Sequence, residues 1–454
     1  MRMRRILTAS VSGALLLGTV VSGCIFADGP PAAATGNIPG VSIVIVSIEG
    51  RTSADYEHKP SPQNWAPDRI YVGNTGTITS PVAAPPTIII TARVTPVPSK
   101  KWLYWSYRDP PEPSGAIPSN TGTADDDNKG RLPAEPFSAV AGWRLEVKKR
   151  ATALDAQGVT KIAFTATTYG GNNYIIGAGI EAGKDNTSTF SKSGAQTPVL
   201  TVWKRIRYEP LRGLTGYRHY DFAFDSTFLE GVRQSLARMY VEPVFASTSV
   251  DYCIDPTRPE FRGGGAYGPA QADLAGLANA YRLSQSTMTT LLVRGESDTQ
   301  NMLDENIAGP RGLSPFDPAR SGEYRWREFN SAQDDFDPTK THAGGLTLSD
   351  VPRNTTALYM DELAVEAQIQ WRRGQVSDPL AWFRRNVLVS FLHETGHLLG
   401  LEDWVRDGEG AMMLPPKSFA NEAGWDRLDT WVRGAEWQDA DGRGVREQYV
   451  PLAQ

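Results

Sequence analysis

A chain of 454 residues leaves room for two or three domains, and 40% apolar residues suffice for ordinary packed cores. The formal net charge of -5 gives no basic footprint, which argues against nucleic acid as a partner. The 43 glycines and 32 prolines point to many turns, as in β-rich domains.

The N-terminus opens with the positive run MRMRR, followed by the short apolar run ILTASVSGALLLGTVV. Together they read as a secretory signal peptide, too short and wrongly flanked for a membrane span. The run ends in Val21-Ser22-Gly23-Cys24, which resembles the lipobox of bacterial lipoproteins. That resemblance implies removal of residues 1–23 and lipidation of Cys24. The protein would then be exported and membrane-anchored in the bacterial cell envelope, facing the periplasm or the exterior. Several acyl chains anchor stably where one does not. Residues 24–38, rich in Ala, Gly and Pro, read as a flexible tether. The second cysteine, Cys253, has no CxxC partner and reads as a buried small hydrophobe.

Residues 39–207 look β. VSIVIVSIEG (41–50) and PTIIITARVTP (86–96) are β-branched runs bounded by Gly and Pro. Phe164–Tyr169 and Asn173–Ile176 flank Gly-Gly-Asn, which predicts a hairpin. TPVLTVWKRIRYE (197–209) alternates and closes the region; a helical pattern suggests itself only around 139–153. Short strands with regular turn signals predict an Ig-like β-sandwich, interrupted by a Pro-, Asp- and Gly-rich insertion at 106–137. The run 124–128 has calcium-like acidity but Pro136 where an EF-hand loop needs its glutamate, so it reads as a solvated loop.

The character changes over 208–454. Asp225 is a helix cap for about 226–240, where Leu229, Val232, Leu236 and Met239 share one face. VEPVFAS (241–247) reads as a strand and Ala270 to Arg282 as a second helix. Residues 308–354 read mostly as loop, with the acidic residues Asp334, Asp335 and Asp337.

Ser377-Asp378-Pro379 then starts a helix, with Asp378 as N-cap and Pro379 at the first position. It runs to about Leu399 and carries His393 and His397, one turn apart on one face. That spacing lets two imidazoles reach one tetrahedral Zn²⁺. Glu394, one residue on, is rotated away from ligation but within reach of a zinc-bound water, as a general base. Catalytic zinc takes a third protein ligand and keeps one position open. No histidine follows His397, but Gly400 can end the helix in a left-handed turn and bring Asp403 back. Asp403 is therefore the expected third ligand, with Glu402 as a neighbouring alternative.

The run His393-Glu394-Thr395-Gly396-His397-Leu398-Leu399-Gly400-Leu401-Glu402-Asp403 resembles the HExxHxxGxxH motif of metzincin zinc peptidases, with Asp for the last His as in snapalysins. Ala411-Met412-Met413-Leu414-Pro415 resembles the matrixin-type Met-turn, which assigns Met413 to the floor of the metal site. The run Asn421–Asp426 weakly resembles the second motif of gluzincins, in which Glu422 would replace Asp403. His58, His219 and His342 are isolated and read as surface or core residues. The tail tryptophans Trp425, Trp431 and Trp437 are expected to pack on this domain, and Asp439–Gly444 reads as a turn.

The expectation is a multidomain protein: an N-terminal all-β Ig-like sandwich followed by an α+β metzincin-type zincin domain. Its function would be hydrolysis of protein or peptide substrates by zinc-activated water, with Glu394 as general base. The alternative is a non-catalytic surface adhesion or scaffolding lipoprotein with a structural or inactive zinc site.

Overall fold

The computed structural model describes residues 40–59, 67–110, 136–180, 194–213, 225–246, 250–252, 276, 278–280, 282–284, 287–293, 345–348, 352–359, 363, 366–367, 370–371, 373–403, 411–414 and 422–452. The signal and tether segments with Cys24, then Cys253, His219, His342, the run 124–128 and the acidic residues 334–337 lie outside them, as do most of 270–282 and 308–354.

The described chain is mostly β-sheet with few helices. Strands Ser42–Gly50, Thr87–Thr95, Val159–Thr165 and Phe137–Ser138 lie side by side in that order, each antiparallel to the next. Their alternation is period two: Ile88, Ile90, Ala92 and Val94 are buried, while Arg93 faces solvent. A second, larger sheet contributes Trp105 from Trp102–Arg108, Tyr174 from Asn173–Gly179 and Val202 from Leu200–Gly213 to the same core. The two sheets thus form a sandwich around one apolar interior. Phe164 meets Tyr174 edge-on at 5.0 Å and Phe137 at 5.5 Å.

The hairpin expected across Gly170-Gly171-Asn172 does not form. Val159–Thr165 lies in the four-stranded sheet and Asn173–Gly179 in the larger one. The turn's backbone groups are taken by other elements: Gly171 N bonds Val202 O, Asn172 O accepts from Val202 N, and Gly170 N bonds Arg446 O. The turn therefore carries the chain between layers. Around 139–153 the structure has short strands at Leu145–Glu146 and Ala151–Ala153 joined by a 3₁₀ turn at Val147–Lys149, where a helical pattern had been expected.

Strand Leu200–Gly213 belongs to both halves of the molecule. Its first residues pair with Asp68–Tyr71 and Asn173–Tyr174 of the sandwich. From Lys204 onward it runs parallel to Val241–Phe245, and from Tyr208 parallel to Met288–Val293. Beyond Met288–Val293 come Thr355–Tyr359, parallel, and Gly345–Thr347, antiparallel.

Helix Ser226–Ala237 starts where Asp225 accepts a bond from Phe228 N. It stops before 240, because a tight turn ends in Tyr240 at a positive φ of 57° and delivers the chain into Val241–Phe245. The helix Pro379–Leu398 is capped by Asp378, which accepts from Ala381 N. Together these helices bury Phe228, Val232, Leu236, Phe383, Val387 and Phe391 against the parallel strands, in a second core that also takes Trp431 and Trp437. The segment expected to turn at 439–444 is instead the first part of helix Asp439–Gln448, started by a capping box between Gln438 and Asp441. Val445 and Arg446 on that helix are fully buried, and this packing outweighs its Asp- and Gly-rich composition. The C-terminal stretch ties the halves together: Lys204 Nζ bonds Val445 O, Arg446 Nε bonds Gly170 O, and Asn74 Nδ2 bonds Pro451 O.

Candidate metal centre

The site is built on the last two turns of helix Pro379–Leu398. Tyr208, fully buried on the shared strand, donates to Thr395 Oγ1 at 3.0 Å and so fixes this end of the helix to the sheet. Further up, Asn386 Nδ2 bonds the buried Glu366 at 2.6 Å.

The helix ends in a Schellman turn. Gly400 N bonds His397 O, Leu401 N bonds Gly396 O, and Gly400 takes φ +90°. A Cβ on Gly400 would meet nothing within 4 Å, so the left-handed backbone, not lack of space, asks for glycine here. The reversal brings Leu401 O to 3.0 Å from His397 Nδ1. It also brings Asp403 over the helix face: Asp403 Oδ1 lies 3.4 Å from His393 Nε2 and 3.5 Å from His397 Nε2.

These three ligand atoms lie within 4.8 Å of one another, and theirs is the one group of metal-ligand type among the described residues. His393 Nδ1 lies 2.9 Å from Met412 O, so both histidines have Nδ1 against a backbone carbonyl. Nδ1 turned to these carbonyls makes Nε2 the nitrogen that each histidine presents on the Asp403 side, where a metal ion would be held. Two imidazoles and one carboxylate, oriented this way, suit zinc. Burial pulls the His393 pKa down, but the carboxylates of Asp403 and Glu394 and the Met412 carbonyl outweigh it, and the net shift is upward.

The floor is close-packed. A Cβ on Gly396, between the two histidines, would sit 2.2 Å from Met413 Sδ. Met413 is fully buried, and the His393 ring lies edge-on to Trp431 at 6.0 Å. Trp431 Nε1 bonds Ala411 O, and Trp437 Nε1 bonds Ser235 Oγ. The structure therefore brings together His393, His397, Asp403 and the Met412-Met413 turn, with Glu394 buried beside them. Glu402 is exposed, and His58 pairs with Asp68 in the sandwich. Glu422 is the first residue of helix Glu422–Gly434, and its side chain lies outside the described set, as does that of Trp425. A residue that the sequence does not single out is Thr347, whose Oγ1 donates to Glu394 Oε2 at 2.7 Å. It lies in a stretch that reads as loop, with no motif to mark it.

No family model matches the chain, and no curated protein matches it. Among solved structures, a zinc-dependent peptidase from Methanocorpusculum labreanum (strain Z) is similar at 12% identity and a TM-score of 0.29, covering 52% of this chain and 99% of that one. The functional reading therefore depends on the site's own geometry.

Proposed function

We propose that the protein is a zinc-dependent endopeptidase of metzincin type, carried on an exported protein anchored through lipidated Cys24. The observation that carries the reading is the convergence of His393 Nε2, His397 Nε2 and Asp403 Oδ1 beside the buried carboxylate of Glu394. His393, His397 and Asp403 would hold the metal, over a floor made by Met413. Bound there, zinc supplies a Lewis acid that polarises a scissile carbonyl and acidifies water. Glu394 takes the proton from that water and returns it to the leaving amine. A purely structural zinc site has no use for such a base, which favours the enzyme over the scaffold.

The substrate is a protein or peptide in extended form. Strand Gly345–Thr347 stands at the end of the described sheet order, against Glu394, and suits a substrate that adds as a further strand. The sandwich, of Ig-like type in this reading, serves as a spacer between membrane and catalytic site.

The test compares the full-length protein in detergent with its Glu394→Ala variant, both assayed for zinc content and for cleavage of an unfolded protein. The expected result is stoichiometric zinc in both, cleavage by wild type that a chelator stops, and a loss of about 10²–10⁴-fold in the variant. Zinc in both and cleavage by neither would favour the scaffold. A wild type without zinc would overturn the site.

A further inference from the structure

Glu394 has a flexible side chain, and a base is effective only when its carboxylate is held towards the water it deprotonates. Its place on the helix does not by itself hold the carboxylate, because a long side chain has several staggered rotamers open to it. The holding contacts come from strand Gly345–Thr347. This strand pairs with Thr355–Tyr359 in the register Gly345↔Leu358, Leu346↔Ala357 and Thr347↔Thr356. Residues 345 and 347 therefore share one face of the strand, and that face meets Glu394. Thr347 Oγ1 donates to Oε2 at 2.7 Å and lies 3.1 Å from the Glu394 carbonyl. A Cβ on Gly345 would lie 2.6 Å from Oε1 and 2.9 Å from Cδ, so its bare backbone sits directly against the other oxygen. One strand thus locates both carboxylate oxygens, one by a charge-assisted hydrogen bond and the other by contact.

We propose that Thr347 is a positioning residue for Glu394, with Gly345 as the clearance that lets the carboxylate lie along the strand. The proposal rests on the reading of Glu394 as the base. It also couples the two parts of that reading, since the strand offered to a substrate is the strand that orients the base.

The test uses the zinc-loaded full-length protein as wild type, Thr347→Val, Thr347→Ser and Gly345→Ala. Two readouts are taken: the split between kcat and KM on an unfolded protein substrate, and the affinity for acetohydroxamate. Acetohydroxamate chelates zinc and shares its hydroxyl proton with a correctly placed base, so it reports the carboxylate's position without turnover. Thr347→Val should keep its zinc, lose about 10–100-fold in kcat with KM nearly unchanged, and bind acetohydroxamate more weakly. Thr347→Ser should restore most of both. Gly345→Ala should displace the carboxylate and resemble the valine variant. If wild type cleaves nothing but acetohydroxamate affinity follows this pattern, the positioning role stands and the peptidase reading falls. Valine equal to wild type in both readouts overturns the proposal. So does a loss that serine does not rescue, or one that comes with loss of zinc, because the contact is then merely structural. A zinc-loaded wild type that binds no acetohydroxamate overturns the positioning role and the base together.

Discussion

A central strand of the sandwich and the metal-site helix bury their side chains in different ways. In strand Thr87–Thr95 the inward positions are Ile88, Ile90, Ala92 and Val94, and none asks for a polar partner. Helix Pro379–Leu398 buries Asn386, Ser390, His393, Glu394 and Thr395 among its apolar residues. Each of these polar groups must find a partner, and each does: Glu366, Asn386, Met412 O, Thr347 and Tyr208 in turn. The inward positions of the strand are held by area and shape, which tolerate substitution if volume is kept. The site is held by a short list of specific bonds, each unsatisfied if its partner is lost. Stability and function can therefore be altered separately in the two regions.

The largest effect expected from testing this separation lies in the sandwich. Phe164→Ala removes the ring packed between Phe137, Tyr107 and Tyr174. It should cost about 3–5 kcal/mol in denaturant unfolding. The molecules that remain folded should bind zinc like wild type, because none of the site's bonds reach Phe164. Zinc affinity that falls with stability would show that the two regions are one energetic unit.

The seam between the regions gives the next prediction. Lys204 lies on the shared strand, almost fully buried, with Val445 O as acceptor. Burial, reinforced by Arg446, lowers its pKa to about 7, against 10.5 for an ordinary lysine. The unfolded chain therefore binds one more proton than the native one between those values, and native stability rises with pH across that window. Below about 7 both states are protonated and the cost of the buried charge is present in full. Lys204→Met should remove a slope of at most about 1.4 kcal/mol per pH unit from the stability profile between those limits. Equal slopes in wild type and variant would mean that Lys204 is solvated in the native state.

Gly396→Ala acts inside the site. The added methyl would press on Met413 Sδ from 2.2 Å. Overpacking of this kind costs about 1–3 kcal/mol, partly offset by the better helix propensity of alanine, worth up to about 1 kcal/mol. The decisive measurement is zinc affinity by chelator competition. It should weaken more than stability does, because the methyl forces apart the helix and the turn whose Met412 carbonyl orients His393.

The motif helix was legible from one sequence because local rules write most of it. Asp378 as cap, the His393–His397 spacing, Gly400 and the returning Asp403 are all short-range features, and the geometry gathers them. β-branched runs likewise marked Ser42–Gly50 and Thr87–Thr95, and alternation marked Leu200–Gly213, whereas Trp102–Arg108 and most of Val159–Thr165 carried no signal that was read. What could not be read was long-range. The chain leaves the strand at Thr165 for another sheet because Val202 and Arg446, distant in sequence, claim the turn. The helix over 439–444 is decided by the burial of Val445 and Arg446, against local composition. Thr347 reaches Glu394 across 47 residues of sequence, through a strand of three residues that no periodicity can announce.

The smallest effect expected is at Gly400, and it separates backbone from packing. No atom lies within 4 Å of where its Cβ would be, so Gly400→Ala introduces no clash. It does place an ordinary residue at φ +90°. The cost should be about 1–2 kcal/mol, less for Gly400→Asn, since asparagine accepts left-handed backbone more readily. Both variants should keep the helix up to His397 but loosen the turn that carries Leu401 O and Asp403. Zinc affinity should therefore fall in the order glycine, asparagine, alanine, in step with the backbone cost. If alanine binds zinc as tightly as glycine, Asp403 does not depend on this turn for its position, and the third ligand must be sought elsewhere, with Glu422 the first to test.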